Sequence, residues 1–210
     1  MTCATAPGNP RDDERVILVD QEDCDIGSME KQQAHVTGRL HRAFSIFVFR
    51  SDGAVLLQRR AAAKYHSGGL WTNTCCSHPR PGETIARAAH RRLMEEMGFD
   101  CVLHPVWAFV YHADVGNGLL EHEYDHVLFG NADVTPTPHA GEVDGVRWVS
   151  LAELWLEMER SPELFTAWLR IALKQFPLRL LAEADLIVSA AATLAGGARF
   201  APPRAVVQRH

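Results

Sequence analysis

The chain alternates between runs of period two and runs of helical period, and that pattern sets out its elements. Residues 1–14 are polar, carry Asp12, Asp13 and Glu14, and have no apolar face to bury, so they are expected to be disordered. Arg15–Asp20 (RVILVD) reads as a short strand. Ala43–Arg50 (AFSIFVFR) and Ala54–Arg60 flank Ser51, Asp52 and Gly53, and Asp-Gly between two apolar runs predicts a hairpin. Residues 61–67 read as a loop or short helix and 70–77 as extended chain. After the break at Pro79-Arg80-Pro81-Gly82, Thr84 is placed to cap a helix in which Ile85, Ala89, Leu93 and Met97 recur at helical spacing, and Gly98 is placed to end it. Strands are expected at Val102–His112 and Glu121–Asn131, joined through an Asn-Gly turn at Asn117-Gly118, and again at Val146–Val149. From Leu151 the period turns helical: Leu151–Arg160, Pro162–Gln175 with Ser161-Pro162 as its start, and Phe176–Leu194. Strands with one central helix and further helices behind them indicate an α/β or α+β sandwich.

Composition narrows the function classes. A chain of 210 residues suits one domain with a substantial core. Its net charge of −5 lacks the basic excess of a nucleic-acid binder. The local clusters Arg59, Arg60, Lys64 and Arg87, Arg91, Arg92 suit a small anionic ligand instead. No apolar run is long enough for a membrane span, and the N-terminus lacks the apolar core of a signal peptide, so a cytoplasmic protein is expected. The five cysteines are odd in number and two are adjacent, which predicts free thiols rather than a disulfide framework.

Four segments hold the chemistry. In Trp71–Pro79 (WTNTCCSHP) alternation sends Cys76 and His78 to one face and Cys75 and Ser77 to the other, so Cys76 is the better site candidate and Cys75 the better core residue. In Glu121–His126 (EHEYDH), Glu121 and Glu123 share a strand face, where two carboxylates repel unless a cation joins them. His35 and His41 cannot share one helical face, but a turn between them brings both to one point. With His78, Glu121 and Glu123 they make a set of three nitrogens and two carboxylates, which suits Mn²⁺, Zn²⁺ or Fe²⁺. The fourth segment runs from Ser77 through Glu83 and Arg91 to Arg92, Glu95, Glu96 and Gly98, and puts positions 92, 95 and 96 within about one helical turn.

This last spacing resembles the Nudix box, with Ser77 in place of its first glycine and Arg92 in place of a metal-binding glutamate. Together with T-N-T-C-C-S-H-P, L-H-R-A-F-S, R-R-A-A-A-K and the E-H-E pair, it makes the chain similar to type I isopentenyl-diphosphate isomerases, a non-hydrolytic branch of the Nudix superfamily. The resemblance implies an αβα sandwich with a mixed sheet and extra C-terminal helices. The matching segments span roughly residues 29–170; with no linker long enough to separate two domains, residues 15–195 are read as one domain of this type, with a loose tail at 196–210. The resemblance assigns Cys76 and Glu123 to proton transfer and Tyr111 and Trp168 to the site's aromatic pair. His35, His41, His78, Glu121 and Glu123 become the ligands of Mn²⁺ or Zn²⁺. Lys31, Arg60, Lys64, Ser77 and Arg92 become diphosphate contacts, and Mg²⁺ is expected with the diphosphate near Glu96 and Cys76. A small diphosphate substrate is implied, with no nucleic-acid or membrane partner, in a monomer or homodimer. Two other readings share parts of the pattern: a Nudix pyrophosphohydrolase, against which Arg92 and Cys76 argue, and a metal-binding module without catalysis.

Overall fold

The computed structural model describes residues 15–175; the expected loose N-terminal segment, the helix at 176–194 and the tail lie outside that range. In chain order the elements are β1 (Arg15–Val19), β2 (Asp25–Glu30), α1 (Lys31–Thr37), β3 (His41–Phe49), β4 (Val55–Arg60), β5 (Trp71–Thr72), β6 (Cys75–Ser77), α2 (Ile85–Met97), β7 (Leu103–Asp114), β8 (Leu120–Asn131), β9 (Val143–Val149), α3 (Leu151–Arg160) and α4 (Ala167–Gln175). Among the described residues no helix is long and apolar enough to cross a membrane.

Strand β3 organises the sheet. It runs parallel to β8 in unbroken register from His41 opposite Glu123 to Phe49 opposite Asn131, and antiparallel to β6 from Phe44–Ser77 to Ile46–Cys75. The β7–β8 hairpin extends one side, with a register shift between Pro105 and Trp107, where proline lacks an N–H for the ladder. β9 pairs with β4, and β1 with both β2 and the start of β3, so the sheet is mixed.

The apolar run of β3 is continuous because both faces are covered. Phe44, Ile46 and Val48 pack with Leu56, Cys75 and Leu128 against Ala88, Ala89, Leu93 and Met97 of α2. Phe47 and Phe49 pack on the other face with Phe129 of β8, Leu154 and Met158 of α3, and Trp168, Leu169 and Leu173 of α4. This is the expected αβα sandwich. The helix termini are built as the sequence indicates: Thr84 Oγ1 accepts from Arg87 N, and Gly98, at φ 72°, donates to the Met94 carbonyl.

Three local differences bear on the site. Residues 25–37, which carry little apolar periodicity, form β2 and α1. Glu30 caps α1 by accepting from the backbone N–H groups of Gln32 and Gln33, and Gly38, in the left-handed region at φ 61°, ends it. The Pro162 signal starts only a 3₁₀ turn over Pro162–Leu164. The chain then extends so that Phe165 enters the core and Thr166 N bonds the Trp71 carbonyl, and α4 begins at Ala167.

Candidate active site

The turn expected between His35 and His41 is the end of a helix. His35 sits in the last turn of α1, the chain reverses at Gly38, and His41 opens β3. The two rings come to 5.0 Å centroid separation. His35 Nδ1 donates to the Lys31 carbonyl at 2.6 Å and His41 Nδ1 to the Arg39 carbonyl at 2.7 Å. Each proton is thereby committed to the backbone, which leaves Nε2 as a bare lone pair. Both Nε2 atoms, and Oε2 of Glu121, are buried with no hydrogen-bond partner among the described residues.

Those orphaned atoms point at one place. One ligand atom from each of His35, His41, His78, Glu121 and Glu123 lies within 4.8 Å of all the others. Glu121 and Glu123 arrive there by alternation along β8, opposite Ala113 and Tyr111 of β7. Glu123 Oε1 lies 2.8 Å from His78 Nε2 and 3.5 Å from His41 Nε2; Oε2 accepts from the Tyr111 hydroxyl at 2.6 Å. Burial alone would raise the Glu123 carboxyl, but the neighbouring His41, Glu121 and Tyr111 side chains hold it below the usual carboxylate range. Burial pushes His78 well below the ordinary histidine value, aided by the Lys31 ammonium. Unpaired acceptors, imidazole nitrogens and two buried carboxylates are the donor set that a divalent cation requires.

Cys76 faces a separate set of groups. Its thiol donates to Asn73 Oδ1 at 2.8 Å and accepts from the Trp168 indole N–H at 3.1 Å. The Asn73 amide is oriented by its own N–H bonds to the carbonyls of Ile46 and Cys75, so its oxygen must face the sulfur. Burial, then the nearby Asp125, pushes the thiol far above its ordinary value. Asp125 accepts from Ser45 Oγ at 2.8 Å, and burial next to Glu123 raises its carboxyl as well. Cys75, one residue earlier, is fully buried in the α2 layer, as alternation requires. The four cysteines among the described residues are all free.

A polar cavity of about 560 Å³ adjoins this cluster. Lys31, Lys64, Ser77 and Arg92 line it, with Arg15, Arg80 and Arg91, while His78 forms part of its wall. Arg92 binds Glu95 at 2.8 Å and Glu96 at 2.5 Å, and Lys64 is paired with Glu142. Glu96 also accepts from Gln58 and lies beside the thiol of Cys75, not that of Cys76. Arg60 is not among the lining residues: its guanidinium sits 5.2 Å from the Trp168 ring and donates to the His66 carbonyl.

Sequence reasoning missed Asn73, Asp125, Glu142 and His66. Asp125 had a signal, since Glu121, Glu123 and Asp125 are successive same-face positions of one strand. Asn73 stood three residues before Cys76 inside a segment already singled out. His66 and Glu142 lie in loops where no periodicity marks a direction.

The family model described as a NUDIX domain matches residues 39–169. Curated relatives include Isopentenyl-diphosphate Delta-isomerase 2 of Aromatoleum aromaticum, 54% identical over 161 residues, covering 77% of this chain and 85% of that protein. Isopentenyl-diphosphate Delta-isomerase of Burkholderia multivorans is 52% identical over 169 residues, covering 80% and 96%. Among solved structures, a Deinococcus radiodurans protein superposes with a TM-score of 0.59 at 20% identity, covering 70% of this chain and 90% of that one. MutT protein of Methanosarcina mazei superposes with a TM-score of 0.54 at 20% identity, covering 66% and 93%. These two likenesses concern the fold.

Proposed function

The chain belongs to the NUDIX family and matches its curated isopentenyl-diphosphate Delta-isomerases over most of their length, and from that premise we propose that it interconverts isopentenyl and dimethylallyl diphosphate with Cys76 and Glu123 as the proton-transfer pair. The observation that carries the assignment of the pair is their opposite protonation: Cys76 is held as a thiol that donates to Asn73, and Glu123 as a carboxylate that accepts from Tyr111.

The substrate alkene is unactivated, so the reaction needs a proton delivered to its terminal carbon and a different proton removed from the methylene next to its substituted carbon. Protonation of the terminal carbon leaves a tertiary cation; loss of a proton from the internal carbon completes the shift, with no net gain or loss of atoms. A residue that carries a proton and one that lacks it, both shielded from water, are what that exchange uses. Asn73 and Trp168 fix the direction of the Cys76 thiol, and Tyr111 fixes Glu123. The Trp168 ring, whose N–H is spent on the sulfur, offers a π face to positive charge, worth on the order of 2 kcal/mol when desolvated. Lys31, Lys64, Ser77 and Arg92 hold the diphosphate in the cavity, and its remote binding energy positions the small alkene. Arg60 contributes from beside Trp168.

His35, His41, His78, Glu121 and Glu123 would hold a divalent cation, Mn²⁺ or Zn²⁺ by donor type, and Glu96 would help to hold Mg²⁺ with the diphosphate. When bound, the first ion would neutralise the clustered carboxylates and tune the acidity of Glu123. Arg92 supplies a guanidinium where a hydrolase would need a metal-binding carboxylate, which favours a diphosphate held over one cleaved.

Incubation of isopentenyl diphosphate with the protein and Mg²⁺ in deuterated water tests the reading. Deuterium is expected in both isomers. Dimethylallyl diphosphate formed without incorporation would overturn the acid–base mechanism, and phosphate release without the second isomer would overturn the isomerase reading.

A further inference from the structure

His66 lies outside the five-ligand cluster, yet it is 5% exposed and its ring is held on every side. It stands edge-on to Tyr65 at 4.5 Å and to Trp168 at 6.0 Å, and its own carbonyl accepts from Arg60. Nδ1 faces the Ser67 hydroxyl at 3.3 Å, and Nε2 lies at ion-pairing distance, 3.3 Å, from Glu121 Oε1. A carboxylate oxygen only accepts, while the hydroxyl of Ser67 can donate to Nδ1, so the proton facing Glu121 belongs on Nε2. Glu121 itself is buried, with its other oxygen bare and part of the ligand cluster. A glutamate has three rotatable side-chain bonds, and the His35 ring, whose Nε2 lies 3.6 Å from Oε1, has its proton on the other nitrogen.

We propose that His66 is a positioning residue, whose Nε2–H holds Oε1 of Glu121 so that the other oxygen is presented to the cation. The inference rests on the metal-site reading above. The same residue joins two functions. The loop that carries it also carries Lys64, which lines the cavity, and begins at Arg60, so the anchor for a metal ligand and the cations for a diphosphate share one short segment.

Outer-shell partners of this kind typically contribute about 10–100-fold to metal affinity. The test measures Mn²⁺ and Zn²⁺ dissociation constants of full-length protein by chelator competition, without substrate, for wild type, His66→Ala and His66→Gln. The glutamine amide can donate to Glu121 as the imidazole does. His66→Ala is expected to bind about 10–100-fold more weakly with the same stoichiometry, and His66→Gln within a few-fold of wild type. Equal affinity of wild type and a folded His66→Ala would overturn the proposal. So would a tenfold or greater loss in His66→Gln, which would make His66 a ligand or a packing element instead. Should His66→Ala fail to fold by circular dichroism, the glutamine variant decides alone. Absence of stoichiometric metal from wild type would instead remove the metal site itself and leave a distinguishable result.

Discussion

Cys76 and Glu123 differ in how separable their roles are. Cys76 touches Asn73, Trp168 and Ser45 and belongs to no ligand cluster among the described residues, whereas Glu123 is bonded at once to Tyr111 and His78 and lies 3.5 Å from His41. Cys76→Ala is therefore expected to lower isomerisation by about 10²–10⁴-fold while leaving metal content unchanged, and Glu123→Gln to lower both. Metal analysis beside the activity assay separates the two, and loss of metal in Cys76→Ala would contradict the assignment. At this scale the sequence was informative wherever a strand presented its residues in alternation. Cys75 against Cys76, and Glu121 with Glu123, could be sorted because a period of two leaves only two choices. His66 could not, because a loop residue's direction depends on what it packs against, here Trp168 of α4 and Tyr65.

At the scale of elements, the helices with tertiary support were legible and the ones built by caps were not. α2 shows Ala89, Leu93 and Met97 on one face, and all are fully buried. In α1 only Ala34 and His35 are buried, and its seven residues depend on Glu30 and Gly38 at the two ends. β2 is an edge strand with exposed positions at its start, so it has no apolar alternation to read. The Ser161-Pro162 signal was a real start, but of a single 3₁₀ turn, because Phe165 is drawn into the core before α4 can begin. Gly98 gives this scale its prediction. It is left-handed, and a Cβ there would come 2.4 Å from the Thr137 carbonyl oxygen. Gly98→Ala is expected to destabilise the protein by about 2 kcal/mol or more, measured by urea unfolding, because conformational strain and the clash with backbone act together. A change below ~0.5 kcal/mol would mean that the Thr137 segment yields freely.

For the molecule as a whole, several carboxylates share one sign of pH dependence. Glu83 is raised by its burial, but the Arg91 guanidinium and the Arg80 N–H more than offset this and hold it below its ordinary value of 4.5. Asp23, with His126 and Arg42, and Glu142, with Lys64 and Arg92, are lowered in the same way against their burial. A depressed carboxyl contributes stability that is fully present above its unfolded value and is lost as pH falls through the folded one. The buried histidines act in the same direction from a higher pH, because His78 and His66 are held below the ordinary histidine value and the unfolded chain takes up their protons first. The urea midpoint is therefore expected to decline gently below about pH 6.5 and more steeply below about pH 4.5. Glu83→Gln should have a lower midpoint at neutral pH and a smaller fall in acid. An equal fall in both proteins would show that the Glu83–Arg91 pair does not contribute.

The β3–β8 ladder sets His41 directly opposite Glu123, although one leaves the ribosome long before the other. During synthesis His35, His41 and His78 appear first, and both carboxylates of the ligand set come last, on a strand that reaches β3 only by closing a long loop. A nascent chain would therefore present three imidazoles without the geometry or the charge to retain a cation. On the metal-site reading, a cation would then be captured after β8 has paired with β3 rather than serve as a nucleus for folding.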